Sequence, residues 1–392
     1  MARSTFLHAA DLHLGAPLQS LGNRLGPEAR EEALRLSRRA FDTLVRVAIE
    51  EEVAFVVLAG DVYDRADRDP AARRRVLLGL QSLSDAGIPV FIAHGNHDPL
   101  TSAELSGDLP PGITVFPTDR VAQHDVMMPN GVTVTVAGIS YERAEESRRL
   151  VEAFAGVSGS TVVGVLHTNV GGASAHGNYA PSSVAELEAS PVQYWALGHI
   201  HDRQVHATPK GWWAYPGNLQ GRSTKATECG AKGVLLVDVN AAGSFAEPRF
   251  VPCDALRFER VTVDLAPVTD VPEVSDHVLT AIATTMEAAD DRPLFVRLEL
   301  TGPTPVAAAL DQSWNDYSEG LIEEVTAALG RGALVKILRT YRPAIDLIAE
   351  RRRERLLGKV LLRLDADPEL AEDPALRAEI ERTLVAALDG SR

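Results

Sequence analysis

The sequence predicts an α/β protein of two or three domains, and three observations carry that prediction. Short, wholly apolar runs alternate with amphipathic helical segments early in the chain, and strand-like alternation takes over after Val132. With 392 residues, 45% of them hydrophobic, the chain is long enough for more than one core.

The runs from Thr5 to Ala10, Ala54 to Ala59, Ile88 to Ala93, Thr161 to Leu166 and Tyr194 to Leu197 read as strands buried on both faces. Between the first three, Glu28 to Glu51 and Ala71 to Ala86 place leucine and valine at spacings of three and four among charged residues, as amphipathic helices do. The result is a β-α-β-α-β layout. The alternating Val132, Val134 and Val136, then Gly233 to Val239, are divided by glycine and proline turns and predict a second, more antiparallel sheet. The first domain is therefore expected over residues 1–255. Arg257 to Leu265 alternates like a new strand and is followed by a helix, a strand at Leu294 to Leu300, another helix and Leu334 to Leu338, a small α+β domain over residues 256–342. Residues 343–392 read as a charged helical tail, with Leu357, Val360, Leu361 and Leu364 on one face and Leu376, Ile380, Leu384 and Leu388 on another.

Composition narrows the chemistry. Thirty-nine basic against fifty-four acidic residues give a formal charge of -15, the wrong sign for holding nucleic acid by bulk electrostatics, so a phosphate substrate has to be attracted locally. Only two cysteines, Cys229 and Cys253, are present, which excludes a disulfide framework and a thiolate metal cage. No apolar run approaches the ~20 residues of a membrane helix, and the start lacks a signal-peptide layout. A soluble cytoplasmic protein without a membrane partner is the expectation. Ten of the eleven histidines precede residue 207, which places the chemistry in the first half.

Each of the five buried runs ends in metal-ligand residue types, and strand ends are where sites assemble in sheets built from crossovers. Asp11-Leu12-His13 sets two ligands on one side of an extended chain. Gly60-Asp61 puts an acid directly after Phe55 to Leu58, although a lone acid there is equally a helix cap. Gly95-Asn96-His97-Asp98 reads as an ordinary turn except for its adjacent imidazole and carboxylate. His167, and then Gly198-His199-Ile200-His201, complete the series. Any one cluster is more often structural than functional; five in order, all at strand ends, are not. Carboxylate, amide oxygen and imidazole without thiolate suit manganese, iron or zinc in an open catalytic site.

These motifs, D-x-H, G-D, G-N-H-D, H and G-H-x-H, resemble those of the calcineurin-like metallophosphoesterases, complete and in order. Within that family the chain is similar to bacterial DNA repair exonucleases of the SbcD type, especially the YhaO subgroup. That likeness rests on Phe6 to Gly15, His167 to Gly172, and Tyr215 to Gly221 followed by Lys232-Gly233. The resemblance implies a four-layer α/β/β/α sandwich with a small α+β capping domain and a helical C-terminal tail. It implies that Asp61 bridges two divalent ions, manganese first with iron or zinc as alternatives. Asp11, His13 and His201 would complete one site, and Asn96, His167 and His199 the other. His97 would protonate the leaving oxygen or stabilise the phosphate charge, with Asp98 orienting it. The implied partners are DNA and an SMC-like ABC-type ATPase docked on the tail, with a homodimer left open.

Other histidines take the bland reading: His8 and His94 as packing or supporting groups, His124, His206 and His277 without a motif, and His176 as a weak supporting candidate. Gly60 to Arg65 has the spacing at which protein phosphatases place a phosphate-binding arginine. Against that, Ala66 replaces their glycine, and the role of Asp64 is left open. The expected activity is a two-metal phosphodiesterase acting on DNA. A phosphomonoesterase or protein phosphatase on the same core is the runner-up, and a DNA-tethering protein with a vestigial site is disfavoured by the intact ligand set.

Overall fold

The computed structural model describes residues 4–18, 27–64, 70–102, 109–172, 179–344, 352, 356–366, 375–376, 379–380 and 382–383. Strands β1 (Thr5–Ala9), β2 (Val56–Ala59), β3 (Val90–Ala93) and β4 (Ile113–Val115) pair in parallel in that order. Parallel neighbours need crossovers. Helices α1 (Pro27–Ser37) and α2 (Arg39–Glu50) make the first and α3 (Pro70–Asp85) the second.

The single helix expected over Glu28 to Glu51 is thus two. Ser37 Oγ bonds back to the Leu34 carbonyl at 2.8 Å, and the chain turns at Arg38. The break lets each half face its own core. Ala33 and Leu36 of α1 pack with Leu18, Leu256, Phe258 and Phe295, whereas Phe41 and Leu44 of α2 pack on the sheet.

The second sheet takes β5 (Ala122–Met127), β6 (Thr133–Gly138), β7 (Val162–His167), β8 (Tyr194–Gly198), β9 (Gln204–Thr208) and β10 (Gly211–Tyr215), in the order β5-β6-β7-β8-β10-β9. The chain then returns to the first sheet with β11 (Gly233–Asp238), antiparallel to β1, and β12 (Arg249–Pro252). Two expectations are corrected here. Gly233 to Val239 belongs to the first sheet, because its pairing partner is β1. The second sheet is no more antiparallel than the first: β6, β7, β8 and β10 run parallel and only the edge pairs are antiparallel.

Alternation along the central strands divides two cores. Leu7, Val56, Leu58, Val90 and Ile92 face the helices with Phe41, Leu44, Val76 and Leu80. Phe6, Phe55, Val57, Ala59 and Phe91 face the second sheet, meeting Val134, Val136, Val163, Val165 and Tyr194. The outer face of the second sheet buries Trp195, Leu197 and Tyr215 beneath Leu187 of α4 (Val184–Ala189) and the short helical stretch Leu150–Gly156. These are the four layers α/β/β/α. At roughly 1.5–3 kcal/mol per buried large apolar side chain, the three cores supply a rigid frame for whatever the strand ends carry.

Two compact units divide the chain: residues 1–261 with 283–297 and 329–336, and residues 262–282 with 298–328 and 337–392. The second holds most of α5 (Val271–Glu287), with Val274, Val278 and Ile282 buried, then α6 (Ala307–Gln312) and nearly all of α7 (Trp314–Leu329), with Leu310, Leu321 and Val325 buried. It includes α8 (Leu356–Asp365), where Leu361 is fully buried and Leu362 is exposed. The side chains of Leu357, Leu384 and Leu388 lie outside the described residues.

Candidate metal centre

The C-terminal ends of β1, β2, β3, β7 and β8 deliver the predicted residues to one place. Backbone conformation does part of the aiming. Asp11, His13, Asp61 and His199 all have positive φ, at 50°, 43°, 51° and 108°, a region that non-glycine residues occupy at a cost of about 1–3 kcal/mol each. Strain gathered on four candidate ligands turns their side chains inward. Glycine clears the space: a Cβ on Gly60 would lie 2.3 Å from His167 Nδ1, and one on Gly95 would lie 2.3 Å from Asp61 Oδ1. A Cβ on Gly198 would meet the Ala59 carbonyl at 1.9 Å.

The seven candidate ligands converge. Asp61 Oδ2 stands 3.6 Å from His13 Nε2 and 3.5 Å from His167 Nε2, so it faces both halves of the cluster. On one side His13 Nε2 is 3.2 Å from His201 Nε2, and Asp11 Oδ1 is 4.0 and 3.8 Å from the same two nitrogens. On the other, Asn96 Oδ1 is 3.0 Å from His167 Nε2 and 3.2 Å from His199 Nδ1. Asp11, His13 and His201, and likewise Asp11, Asp61 and His167, each bring ligand atoms within metal-sharing distance, as do His13, Asp61 and His97.

The donor chemistry fits a cation. His167 Nδ1 lies 2.9 Å from the Ala59 carbonyl and must donate its proton there, leaving the Nε2 lone pair to face Asn96 Oδ1 and Asp61 Oδ2. Burial pushes this imidazole down to about 4, so no second proton sits between those acceptors at neutral pH. His201 is oriented in the same manner by Glu228, whose carboxylate takes Nδ1–H at 2.7 Å. Burial, then the neighbouring Asp61 carboxylate, push Asp11 well above the usual carboxylate range. Burial and Asp98 raise Asp61 to about 7. Two buried carboxylates ringed by uncharged imidazoles are costly without a cation and well suited to a divalent one. Both Asp11 oxygens accept the His199 N–H, at 3.1 and 2.9 Å, which fixes that carboxylate.

Asp98 is the correction. The sequence suggests that it orients the adjacent His97, but its oxygens accept the backbone N–H groups of Asp61 (3.1 Å), Val62 (2.9 Å) and Gly95 (2.8 Å), and one lies 3.2 Å from His94 Nδ1. It pins the loops after β2 and β3 together. The carboxylate beside His97 is Asp64, 3.3 Å from Nδ1, and that contact raises the affinity of His97 for its proton. Asp64 also stands 3.8 Å from His13 Nδ1; burial alone would raise it, yet the two imidazoles hold it well below the usual range.

Sequence reasoning missed Glu228, Asn218 and Arg222. Glu228 accepts from His201 Nδ1, Asn218 Nδ2 (2.8 Å) and Arg222 N–H (2.9 Å), and Lys232 Nζ donates to the His201 carbonyl at 2.8 Å. Their only signal was the stretch from Tyr215 to Gly221 and Lys232-Gly233. His8 is structural: burial lowers it to about 3, and it bonds Tyr194 and the Leu197 carbonyl between the sheets. Arg65 and His176 lie outside the described residues.

A four-layer sandwich that gathers carboxylate, amide and imidazole ligands at the ends of its parallel strands defines a metal-dependent phosphoesterase. The Calcineurin-like phosphoesterase description matches residues 4–203, and that of the middle domain of metallophosphoesterase YhaO matches residues 258–357. The chain belongs to the calcineurin-like phosphoesterase family. It is 30% identical to the metallophosphoesterase YhaO of Bacillus subtilis, over 82% of this chain and 78% of that one. To the DNA double-strand break repair protein Mre11 of Aeropyrum pernix it is 28% identical, over 63% of this chain and 60% of the relative. One component of the nuclease SbcCD of Bacillus subtilis is 33% identical over 24% of this chain and 21% of its own length. Among the described residues no helix is long and apolar enough to cross a membrane.

Proposed function

We propose that the chain is a two-metal phosphodiesterase that hydrolyses DNA. The observation that carries this reading is the convergence of Asp11, His13, Asp61, Asn96, His167, His199 and His201 around a shared carboxylate, with His97 at the rim. Similarity to a double-strand break repair protein and to a component of a nuclease supports DNA as the substrate.

Asp61 would serve both ions, Asp11, His13 and His201 would hold one, and Asn96, His167 and His199 the other, with manganese the first choice. When bound, the ions supply Lewis acidity, positive charge at the scissile phosphate and a hydroxide at neutral pH. The chain does the rest. His97, 42% exposed, is accessible to substrate; with Nδ1 turned to Asp64, it presents Nε2 to protonate the leaving oxygen or hold a phosphate oxygen. Residues 1–255 form the catalytic domain, 256–342 the capping domain, and 343–392 the segment that docks an SMC-like ABC-type ATPase in the cytoplasm.

One assay tests the reading: manganese-loaded protein on linear duplex DNA, single-stranded DNA, a nitrophenyl phosphodiester and a nitrophenyl phosphomonoester, side by side. Cleavage of DNA and of the diester is expected. Preference for the monoester with DNA left intact would replace the nuclease reading by a phosphatase on the same core.

A further inference from the structure

We propose that Arg222 is a substrate-phosphate contact of this site, held at its edge by Glu228. The proposal rests on the phosphodiesterase reading for the identity of the substrate, but not for the existence of the anion site.

A chain carrying a formal charge of -15 has to attract a phosphate locally, and arginine is the side chain whose planar fork matches phosphate oxygens. Arg222 follows the stretch from Tyr215 to Gly221 and makes its hydrogen bonds to Glu228. Its backbone N–H and Nη2 reach Glu228, at 2.9 and 3.3 Å, the same carboxylate that takes the His201 Nδ1 proton at 2.7 Å. Tethering to a group that orients a candidate metal ligand places the guanidinium in register with the cluster.

Two donors of the fork make no hydrogen bond among the described residues. Nη1 lies 3.8 Å from Asp64 Oδ2, too far for a hydrogen bond, and Nε is buried with no hydrogen-bond partner among the described residues. Buried donors are rarely left unmade unless something else takes them. Asp64 is itself 3.3 Å from His97 Nδ1 and 3.8 Å from His13 Nδ1, so Arg222 stands across one carboxylate from both a candidate ligand and the candidate acid. The competing assignment is a strut that only neutralises Asp64 and Glu228. A strut leaves phosphate binding alone; a contact does not.

The discriminating measurement is calorimetric binding of inorganic phosphate to the manganese-loaded full chain, compared with Arg222→Gln and Arg222→Lys, with metal content and circular dichroism recorded for each. The expected result is unchanged metal content and fold, phosphate affinity down at least about tenfold in Arg222→Gln, and a smaller loss in Arg222→Lys, which keeps the charge without the fork. For the nitrophenyl diester, the loss should fall mainly on KM. Wild-type phosphate affinity in both variants overturns the proposal, and so does loss of metal in Arg222→Lys. Should the wild type bind phosphate and leave every diester intact while the variants still lose phosphate, Arg222 stands and the phosphodiesterase reading falls.

Discussion

Asp61 is the residue that faces both halves of the candidate centre. Its Oδ2 faces His13 and His167 at 3.6 and 3.5 Å, and its Oδ1 accepts the His97 N–H at 2.8 Å, so one side chain ties three of the strand ends together. Asp61→Ala is expected to lose metal and activity together while keeping the fold, because the surrounding cores do not include it. Elemental analysis beside circular dichroism checks this; two ions retained by a folded Asp61→Ala protein would refute the bridging role. His97 stands differently, with a carboxylate behind it and an exposed face. His97→Ala should keep its metal and lose around 10² to 10⁴ in rate, as removal of a general acid does. A parallel loss of metal would move it among the ligands, a place that its proximity to His13 and Asp61 permits geometrically. Gly95 gives a third test: a methyl there has to enter the space of Asp61 Oδ1 and the His167 ring. Gly95→Ala is expected to weaken manganese binding at least about tenfold in titration calorimetry, since ligand geometry is lost with a displacement of a few tenths of an ångström. Unaltered affinity would show that the loop can yield.

At the scale of elements, the parallel strands were legible because burial on both faces leaves an unbroken apolar run, as in Phe55 to Leu58 and Val162 to Leu166. The candidate ligand positions could be singled out because each cluster follows such a run. What escaped was non-local. Nothing in Gly233 to Val239 says that it pairs with β1, more than two hundred residues earlier, because pairing is decided by the frame as a whole. The adjacency of His97 and Asp98 in sequence pointed to a dyad, yet the positive-φ turn at Asp61 and the loop after β3 send Asp98 to three backbone N–H groups. Asp64, from the preceding strand–loop unit, faces the imidazole instead. Glu228 reaches His201 across 27 positions by way of a short helical turn, with no spacing rule to announce it. The helices support this geometry indirectly. Leu80 of α3 is fully buried against the first sheet, so Leu80→Ala should cost about 2–5 kcal/mol in denaturant unfolding while the folded fraction still binds manganese. Metal loss well before the unfolding transition would mean that α3 positions the site directly.

For the molecule as a whole, the proposed function raises the problem of how a chain with a formal charge of -15 would engage a polyanion. The proposed answers act at different ranges: ions and Arg222 at the scissile phosphate, and a partner for everything farther away. The tail is where that partner is expected. In α8 the predicted apolar stripe is partly accounted for, since Leu361 is fully buried and Val360 and Leu364 are half-buried, but Leu362 is 52% exposed beside them. Leu376, farther along, is 45% exposed. Amphipathic helix faces of this kind dock in partner grooves through the same spacings of three and four that pack a core. Deleting residues 346–392 is therefore expected to leave hydrolysis of a small phosphodiester within about twofold, because every candidate ligand precedes residue 202, and to abolish capture of the SMC-like ATPase in pull-down. The burial of Leu361 makes a melting curve part of the experiment, since removing a packed helix has a structural cost of its own. Leu362→Asp separates the two effects, as an exposed position should tolerate the charge while an interface should not. If the truncated chain unfolds and Leu362→Asp binds the ATPase as tightly as the wild type, the tail is a structural element of its own domain and the partner has to dock elsewhere.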